Sequence, residues 1–169
     1  MFKLIAAVDN NYAIGYNNKL LFNDSIDKAF FKDLTLGGVV IMGRKTFQSL
    51  PGELKDRENY VITRSPERYE NKPGLFFGSI DKCLSIIANL PEDKRKKVWV
   101  IGGQEIYTEL LDQCDEAYLT HVDTEYPETD AHFPRIDKMD EWKLKSIIKE
   151  YTSIISGWPV RVEFWKRSM

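Results

Sequence analysis

Cysteine is scarce in this chain. Its 169 residues include two, Cys83 and Cys114, too few for the disulfide framework of a small secreted protein. No CxxC and no Cys/His cluster has the spacing of a zinc site, so reduced, buried thiols are expected. Histidine is equally rare, with two residues, His121 and His132, and nothing around them supports a metal. An excess of one charge is also missing. The chain carries 24 Lys and Arg against 26 Asp and Glu, a net charge of -2, without the basic surplus of a general nucleic-acid binder. No apolar run approaches the ~18 residues of a membrane span. The run at 4–8 is too short for a signal peptide. These absences predict a cytoplasmic protein with no nucleic-acid or membrane partner.

What remains is an ordinary globular composition. The hydrophobic fraction of 43% is too high for disorder. At about 150 residues per domain, residues 1–169 make one domain, with no repeat or linker to divide them. Continuous apolar runs at 4–8, 39–42 and 98–101 suit strands buried on both faces. Segments 60–63, 75–77 and 117–120 are also strand-like. Two further strands, 142–149 and 160–166, flank a turn marked by Gly157 and Pro159. Between the strands lie four helices. One is capped by Asp24 or Ser25 and runs through Leu34, one covers 45–50, one is capped by Ser79, and one follows Gly102-Gly103. The alternation predicts an α/β fold with a mostly parallel sheet and an antiparallel C-terminal edge. Ligands belong at the carboxyl ends of such strands. The cationic run at 94–97 lacks interleaved aromatics and reads as a solvated loop.

Four features carry chemistry. Asp27 has Phe30 and Phe31 at i+3 and i+4 and Leu34 a turn further, so a carboxylate sits on an apolar stripe, where burial raises its pKa. Periodicity taken alone favours a plainer alternative, a helix-start carboxylate that suits the dipole and points at water. Gly43-Arg44-Lys45-Thr46 turns a buried strand into a helix with cations suited to phosphate. Gly102-Gly103-Gln104-Glu105-Ile106-Tyr107 repeats the turn after another buried strand, and two glycines permit close approach to the backbone. Neither has the glycine spacing of a Walker loop or a dinucleotide fingerprint, and plain turns explain each as well. Thr63-Arg64-Ser65 adds hydroxyls and a guanidinium at the same sheet end, suited to a phosphate monoester or an adenine face. Together they suggest a dinucleotide and a small polar heterocycle.

In combination these residues resemble the dihydrofolate reductases of bacterial and phage type. The resemblance covers most of the chain. It is carried by Ile5-Ala6-Ala7, Ile14-Gly15, Asn18-Lys19-Leu20, the acidic helix at 27–35, Val40-Ile41-Met42-Gly43-Arg44-Lys45-Thr46-Phe47, Arg57-Glu58-Asn59, Val100-Ile101-Gly102-Gly103, Tyr107, Leu119-Thr120-His121 and His132-Phe133-Pro134. It implies an eight-stranded, mainly parallel sheet with four flanking helices. It also implies hydride transfer from NADPH to dihydrofolate, giving tetrahydrofolate, with antifolates as further ligands and no metal. By resemblance Asp27, Tyr107 and Thr120 are catalytic. Asp27 binds the pterin and favours protonation of its N5, Thr120 holds Asp27 and a water, and Tyr107 lies near the nicotinamide. Ile5, Ala6, Lys28, Phe31, Leu50, Leu54, Arg57 and Ile101 complete the substrate site, with Arg57 on the glutamate α-carboxylate. Ala7, Ile14, Gly15, Gly43, Arg44, Lys45, Thr46, Thr63, Arg64, Ser65, Gly102, Gly103, Gln104, Glu105, Ile106 and Tyr107 face the cofactor. The resemblance further implies a cis Gly102-Gly103 peptide, a mobile loop over 9–24 that Asp130 holds closed through its backbone, and a monomer.

The chain departs from the family pattern in places. Leu21-Phe22 stands where the family usually has Pro-Trp, and Phe22 lacks the indole N–H that commonly holds a water near the pterin. Lys28 replaces an apolar residue; its ammonium reaches the substrate's tail or snorkels to solvent, the latter being favoured. Gln104 and Glu105 follow the glycine pair where a glycine and a basic residue are common. Glu105 removes a partner for the 2′-phosphate and Arg64 compensates, so NADPH is expected to be preferred over NADH by a reduced margin. Two other readings compete: the related reductase of a ribosylamino-pyrimidine, and a non-catalytic binding protein on the same fold. The presence together of Asp27, Tyr107, Thr120 and Arg57 argues against the latter.

Overall fold

The apolar run at the start of the chain forms a strand whose side chains alternate between two buried faces. The computed structural model describes residues 1–168. In chain order the elements are β1 (Phe2–Val8), β2 (Ala13–Tyr16), β3 (Lys19–Leu20), α1 (Ser25–Thr35), β4 (Val39–Gly43), α2 (Arg44–Ser49), β5 (Glu58–Ile62), β6 (Leu75–Gly78), α3 (Ile80–Ala88), α4 (Glu92–Arg95), β7 (Val98–Gly102), α5 (Gln104–Leu110), β8 (Cys114–Val122), β9 (Ala131–His132), β10 (Trp142–Thr152) and β11 (Pro159–Arg167). Eight strands make one sheet in the order β10-β11-β8-β1-β7-β4-β5-β6. Every pairing from β8 to β6 is parallel, and β11 runs against both of its neighbours. This is the expected mainly parallel sheet with an antiparallel C-terminal edge.

Period-2 alternation divides the core in two. Leu4 and Val8 of β1, Val39 and Ile41 of β4, and Val98 and Val100 of β7 pack with Cys83 and Ile87 of α3 and Ile106, Tyr107 and Leu110 of α5. On the other face Ile5, Val40, Met42, Val61 and Trp99 pack with Phe31 and Leu34 of α1 and with Phe47 and Leu50. Both cysteines are buried and free. Burial pushes the Cys83 thiol up to about 11 and the Cys114 thiol up to about 12.

The structure differs from the sequence reading in three places. The run expected as a solvated loop contributes to a fifth helix, the single turn α4. Its Glu92 and Asp93 lie at the start and Lys94 and Arg95 at the end, the arrangement that suits the helix dipole. Segment 9–24 is not all loop: β2 and β3 form a hairpin that pairs with β9 in a small three-stranded sheet. Asn17 and Asn18 at its tip have φ of 54° and 63°, the positive values a tight two-residue turn requires. The last hairpin is also longer than expected, because β10 continues to Thr152.

Candidate active site

Helix α1 starts where Asp24 caps it. The Asp24 carboxylate accepts the Ile26 N–H at 2.7 Å through Oδ1, and Oδ2 accepts the Ser153 hydroxyl at 3.0 Å. One turn on, Asp27 projects toward β8, and Thr120 donates its hydroxyl to Asp27 Oδ1 at 2.6 Å. Burial pushes the Asp27 carboxyl above the usual carboxylate range; the Thr120 hydrogen bond opposes this and the neighbouring Asp24 charge adds to it. The plainer alternative, a carboxylate aimed at water, is therefore not what the fold adopts.

The sheet face that α1 covers is apolar. Phe31, Leu50, Leu54 and Ile101 pack on the core that contains Ile5. Ala6 and Ala7 of β1 lie beside Leu119 and Thr120 of β8. Buried Asn59 fixes the Leu54 end of this wall. Its Oδ1 accepts the Leu54 N–H at 2.9 Å, and its amide donates to the carbonyls of Leu54, Arg57 and Gly74 at 2.8, 3.0 and 3.2 Å. Arg57 donates from Nη1 to the Thr35 hydroxyl at 3.1 Å and from Nε to the Lys55 carbonyl at 2.9 Å. Burial pulls its guanidinium below its ordinary value, with nearby Asp56 opposing. Arg57 forms no salt bridge among the described residues, so an oriented cation is held by neutral acceptors. Lys28 is exposed, in keeping with the solvent-facing alternative.

Beyond Asp27 the carboxyl ends of β4, β5 and β7 gather the other predicted residues. Gly43 ends β4 and opens α2; a Cβ there would come within 3.1 Å of Ile106. Gly102 and Gly103 are joined by a cis peptide, and Gly102 has φ of 114°. A Cβ on Gly102 would meet the Tyr107 ring at 3.1 Å, and one on Gly103 the Thr46 hydroxyl at 3.5 Å. Buried Tyr107 donates its hydroxyl to the Ile5 carbonyl at 2.7 Å, and burial raises the phenol's pKa. Arg44 donates to Gln48 at 3.0 Å while Lys45 is exposed. Thr63 is buried and its hydroxyl accepts the Ser65 N–H at 3.1 Å; Arg64 and Glu105 are exposed. Gln104 opens α5 after the glycine pair, and its side-chain carbonyl accepts the His132 N–H at 2.7 Å. Its side chain therefore ties α5 to the small sheet.

The small sheet closes one side of this region. Ile14 and Gly15 are buried in β2. Asp130 accepts the Asn17 N–H at 3.0 Å, and its own N–H donates to the Gly15 carbonyl at 3.0 Å. Asp9, buried at the end of β1, accepts the N–H groups of Asn11, Ala13 and Tyr126 at 2.8, 2.9 and 3.1 Å. Sequence reasoning missed the roles of Asp9, Asn59 and Ser153. All three are short polar residues that combine local partners with one distant one, Tyr126 for Asp9, Gly74 for Asn59 and Asp24 for Ser153, and only their burial reveals them. A separate cavity of about 400 Å³ lies by His121, Asp123, Glu150 and Arg161. Asp123 and Arg161 in its lining are already engaged by Asn10 and Glu163, and Tyr151 also lines it.

Among the described residues no group of three or more His, Cys, Asp or Glu side chains could hold a metal. No helix there is long and apolar enough to cross a membrane. Comparison with known proteins agrees with the geometry. The family profile described as dihydrofolate reductase matches residues 1–167. The chain is 38% identical over 146 residues to the dihydrofolate reductase of Bacillus subtilis (strain 168), covering 86% of this chain and 82% of that protein. It is 34% identical over 134 residues to the type 3 dihydrofolate reductase of Salmonella typhimurium, covering 79% and 78%. It is 35% identical over 133 residues to the type 1 enzyme of Escherichia coli, covering 79% and 81%. A matched profile over nearly the whole chain, on this sheet and around this acid, means that the chain belongs to the dihydrofolate reductase family.

Proposed function

We propose that this protein reduces dihydrofolate to tetrahydrofolate with NADPH, using Asp27 as the acid that organises the pterin. The observation that carries this reading is the part-buried Thr120–Asp27 hydrogen bond of 2.6 Å, made from a helix whose Phe31 and Leu34 pack on the apolar core. A carboxylate so held can accept two hydrogen bonds from an amino-pyrimidine edge, which few other ligands offer. Its charge then raises the proton affinity of the ring nearby, and a water delivers the proton to N5. The C=N bond becomes a good hydride acceptor only once N5 is protonated.

NADPH, when bound, supplies the hydride. The chain's groups fit such a ligand. Gly102 and Gly103 leave bare backbone beside Tyr107 and Thr46; a side chain at Gly102 would crowd the Tyr107 ring, while one at Gly103 would make ordinary contact with the Thr46 hydroxyl. Arg44, Lys45 and Thr46 would hold the phosphates, Thr63, Arg64 and Ser65 the adenosine end, and Ala7, Ile14 and Gly15 the nicotinamide. Tyr107 fixes the Ile5 carbonyl through one lone pair and leaves the other for the pterin amino group. Ile101 supplies a second carbonyl. Phe31, Leu50 and Leu54 pack on the rings, and Arg57 takes the tail carboxylate. Asp130 holds the β2–β3 hairpin against the site and so excludes water.

The test is loss of NADPH absorbance on mixing the protein with dihydrofolate, with NADH and a ribosylamino-pyrimidine in parallel. The expected result is rapid oxidation of NADPH with dihydrofolate alone, and slower oxidation of NADH. Turnover of the pyrimidine instead, or tight binding without turnover, would move the chain to one of the competing functions. Equal efficiency with NADH would show that Glu105 has abolished the cofactor preference.

A further inference from the structure

Tyr151 is the exception in an otherwise satisfied interior. Its hydroxyl oxygen is the single buried side-chain N or O atom among the described residues that has no hydrogen-bond partner. A buried hydroxyl left unpaired is destabilising, and phenylalanine would fill the same space without that cost.

The register shows which side chains Tyr151 lies among. Tyr151 pairs with Val160 of β11, and Val160 pairs with Val122 of β8. These side chains share one cluster with Phe22, Ala7 and Trp158. Two residues before Val122, on the same face, Thr120 donates to Asp27. Two residues after Tyr151, Ser153 donates to Asp24. Asp24 and Asp27 are one turn apart on α1, so Tyr151 is bracketed by the two contacts that fasten this helix to the sheet. Burial raises the Tyr151 phenol's pKa, and the charges of Asp27 and then Asp24 raise it further.

The two carboxylates are not equivalent acceptors. Both Asp24 oxygens are engaged, one by the Ile26 N–H and one by Ser153. Asp27 has Thr120 on Oδ1, and Oδ2 is open. Phe22, in the same cluster, carries no donor. We propose that Tyr151 is a positioning residue for Asp27, donating its hydroxyl through one intervening water and thereby fixing the carboxylate and favouring its ionised form.

Tyr151 also lines the cavity shared with His121, Asp123, Glu150 and Arg161, so these charged and titratable groups border it on the side away from α1. From α1, Asp24 faces the pair, while Lys28 is exposed. From β8 the neighbour is the Thr120 hydroxyl. From β10, Lys149 Nζ stands 5.9 Å from the Tyr151 ring centroid. From β11, Arg161 borders that same cavity and is engaged by Glu163, which also meets His121.

The inference rests on Asp27 being the pterin-binding acid, and its test separates the two claims. The Asp27 carboxyl is titrated by ¹³C NMR in the ligand-free protein and in Tyr151→Phe, and the pH dependence of single-turnover hydride transfer is recorded for both. A donor to a carboxylate stabilises its charged form. Its removal should raise the proton affinity of Asp27 about three- to tenfold, the effect of losing a modest charge-assisted bond. The hydride-transfer profile should move to higher pH by the same factor, with Tm unchanged or higher. Superimposable Asp27 titrations would overturn the proposal and make Tyr151 a packing residue. A wild-type protein that does not turn over dihydrofolate overturns the function reading alone, because the titration still decides the role of Tyr151.

Discussion

At the scale of single residues the site is built from polar groups held by neutral partners, so that their charge stays available. Arg57 is the clearest case. Thr35 and Lys55 orient it without neutralising it, and Asn59 pins the carbonyls of Leu54 and of Arg57 itself. Charge-assisted bonds contribute about 1.5–3 kcal/mol each. Arg57→Gln should therefore raise KM for dihydrofolate about 10- to 100-fold while kcat stays nearly constant. Steady-state kinetics with dihydrofolate and with a tail-less dihydropterin check this. The tail-less substrate should not notice the substitution, and an equal loss with both would remove Arg57 from the tail. The motif Arg57-Glu58-Asn59 is visible in the sequence, and the resemblance gives Arg57 its role. The work of Asn59 is not visible there, because its partners include Gly74, 15 residues away.

Among the elements, the β2–β3 hairpin moves furthest from its sequence reading. Strands of four and two residues are too short for a period-2 signal, and a bulge interrupts their pairing with β9. The Asn17-Asn18 pair at its tip tolerates positive φ, a turn signal that the reading of 9–24 as a loop does not use. Asp130 then staples the hairpin to the later loop. Asp130→Ala should release it, raising the hydrogen-exchange rate of the Asn17 amide. Hydride transfer should slow about tenfold if water exclusion depends on closure, with a smaller change in dihydrofolate affinity. Exchange and single-turnover measurements on the same protein check both halves. Faster exchange with unaltered hydride transfer would show that the hairpin's closure does not limit the chemistry. The edge strand β10 resolves more simply. Its exposed Leu144, Ile147 and Ile148 are accompanied by Lys143, Lys145 and Lys149 and by two irregularities in register, the devices by which a sheet edge resists pairing with another chain.

For the whole molecule, the parallel sheet brings distant segments to one end. The buried strands announce themselves as continuous apolar runs, which is why the mainly parallel sheet is legible in composition and period alone. Contacts across 93 and 129 residues, Thr120 to Asp27 and Ser153 to Asp24, are not. Periodicity shows Asp27 on an apolar stripe but cannot say what meets it, and only the family resemblance names Thr120. Nothing in the sequence marks Ser153. The central claim concerns this acid, and its stability cost has a definite sign. Burial makes the folded carboxyl bind its proton more tightly than the unfolded one, so this group's contribution to stability falls as pH rises through its folded pKa. Replacing it with a neutral amide should not lower Tm at neutral pH. The decisive measurement is therefore the pH dependence of hydride transfer in Asp27→Asn beside the wild type, with Tm recorded for both. The account predicts a folded variant that is severely slowed at neutral pH and recovers as acid protonates the substrate in advance. A folded variant with undiminished turnover at neutral pH would contradict it.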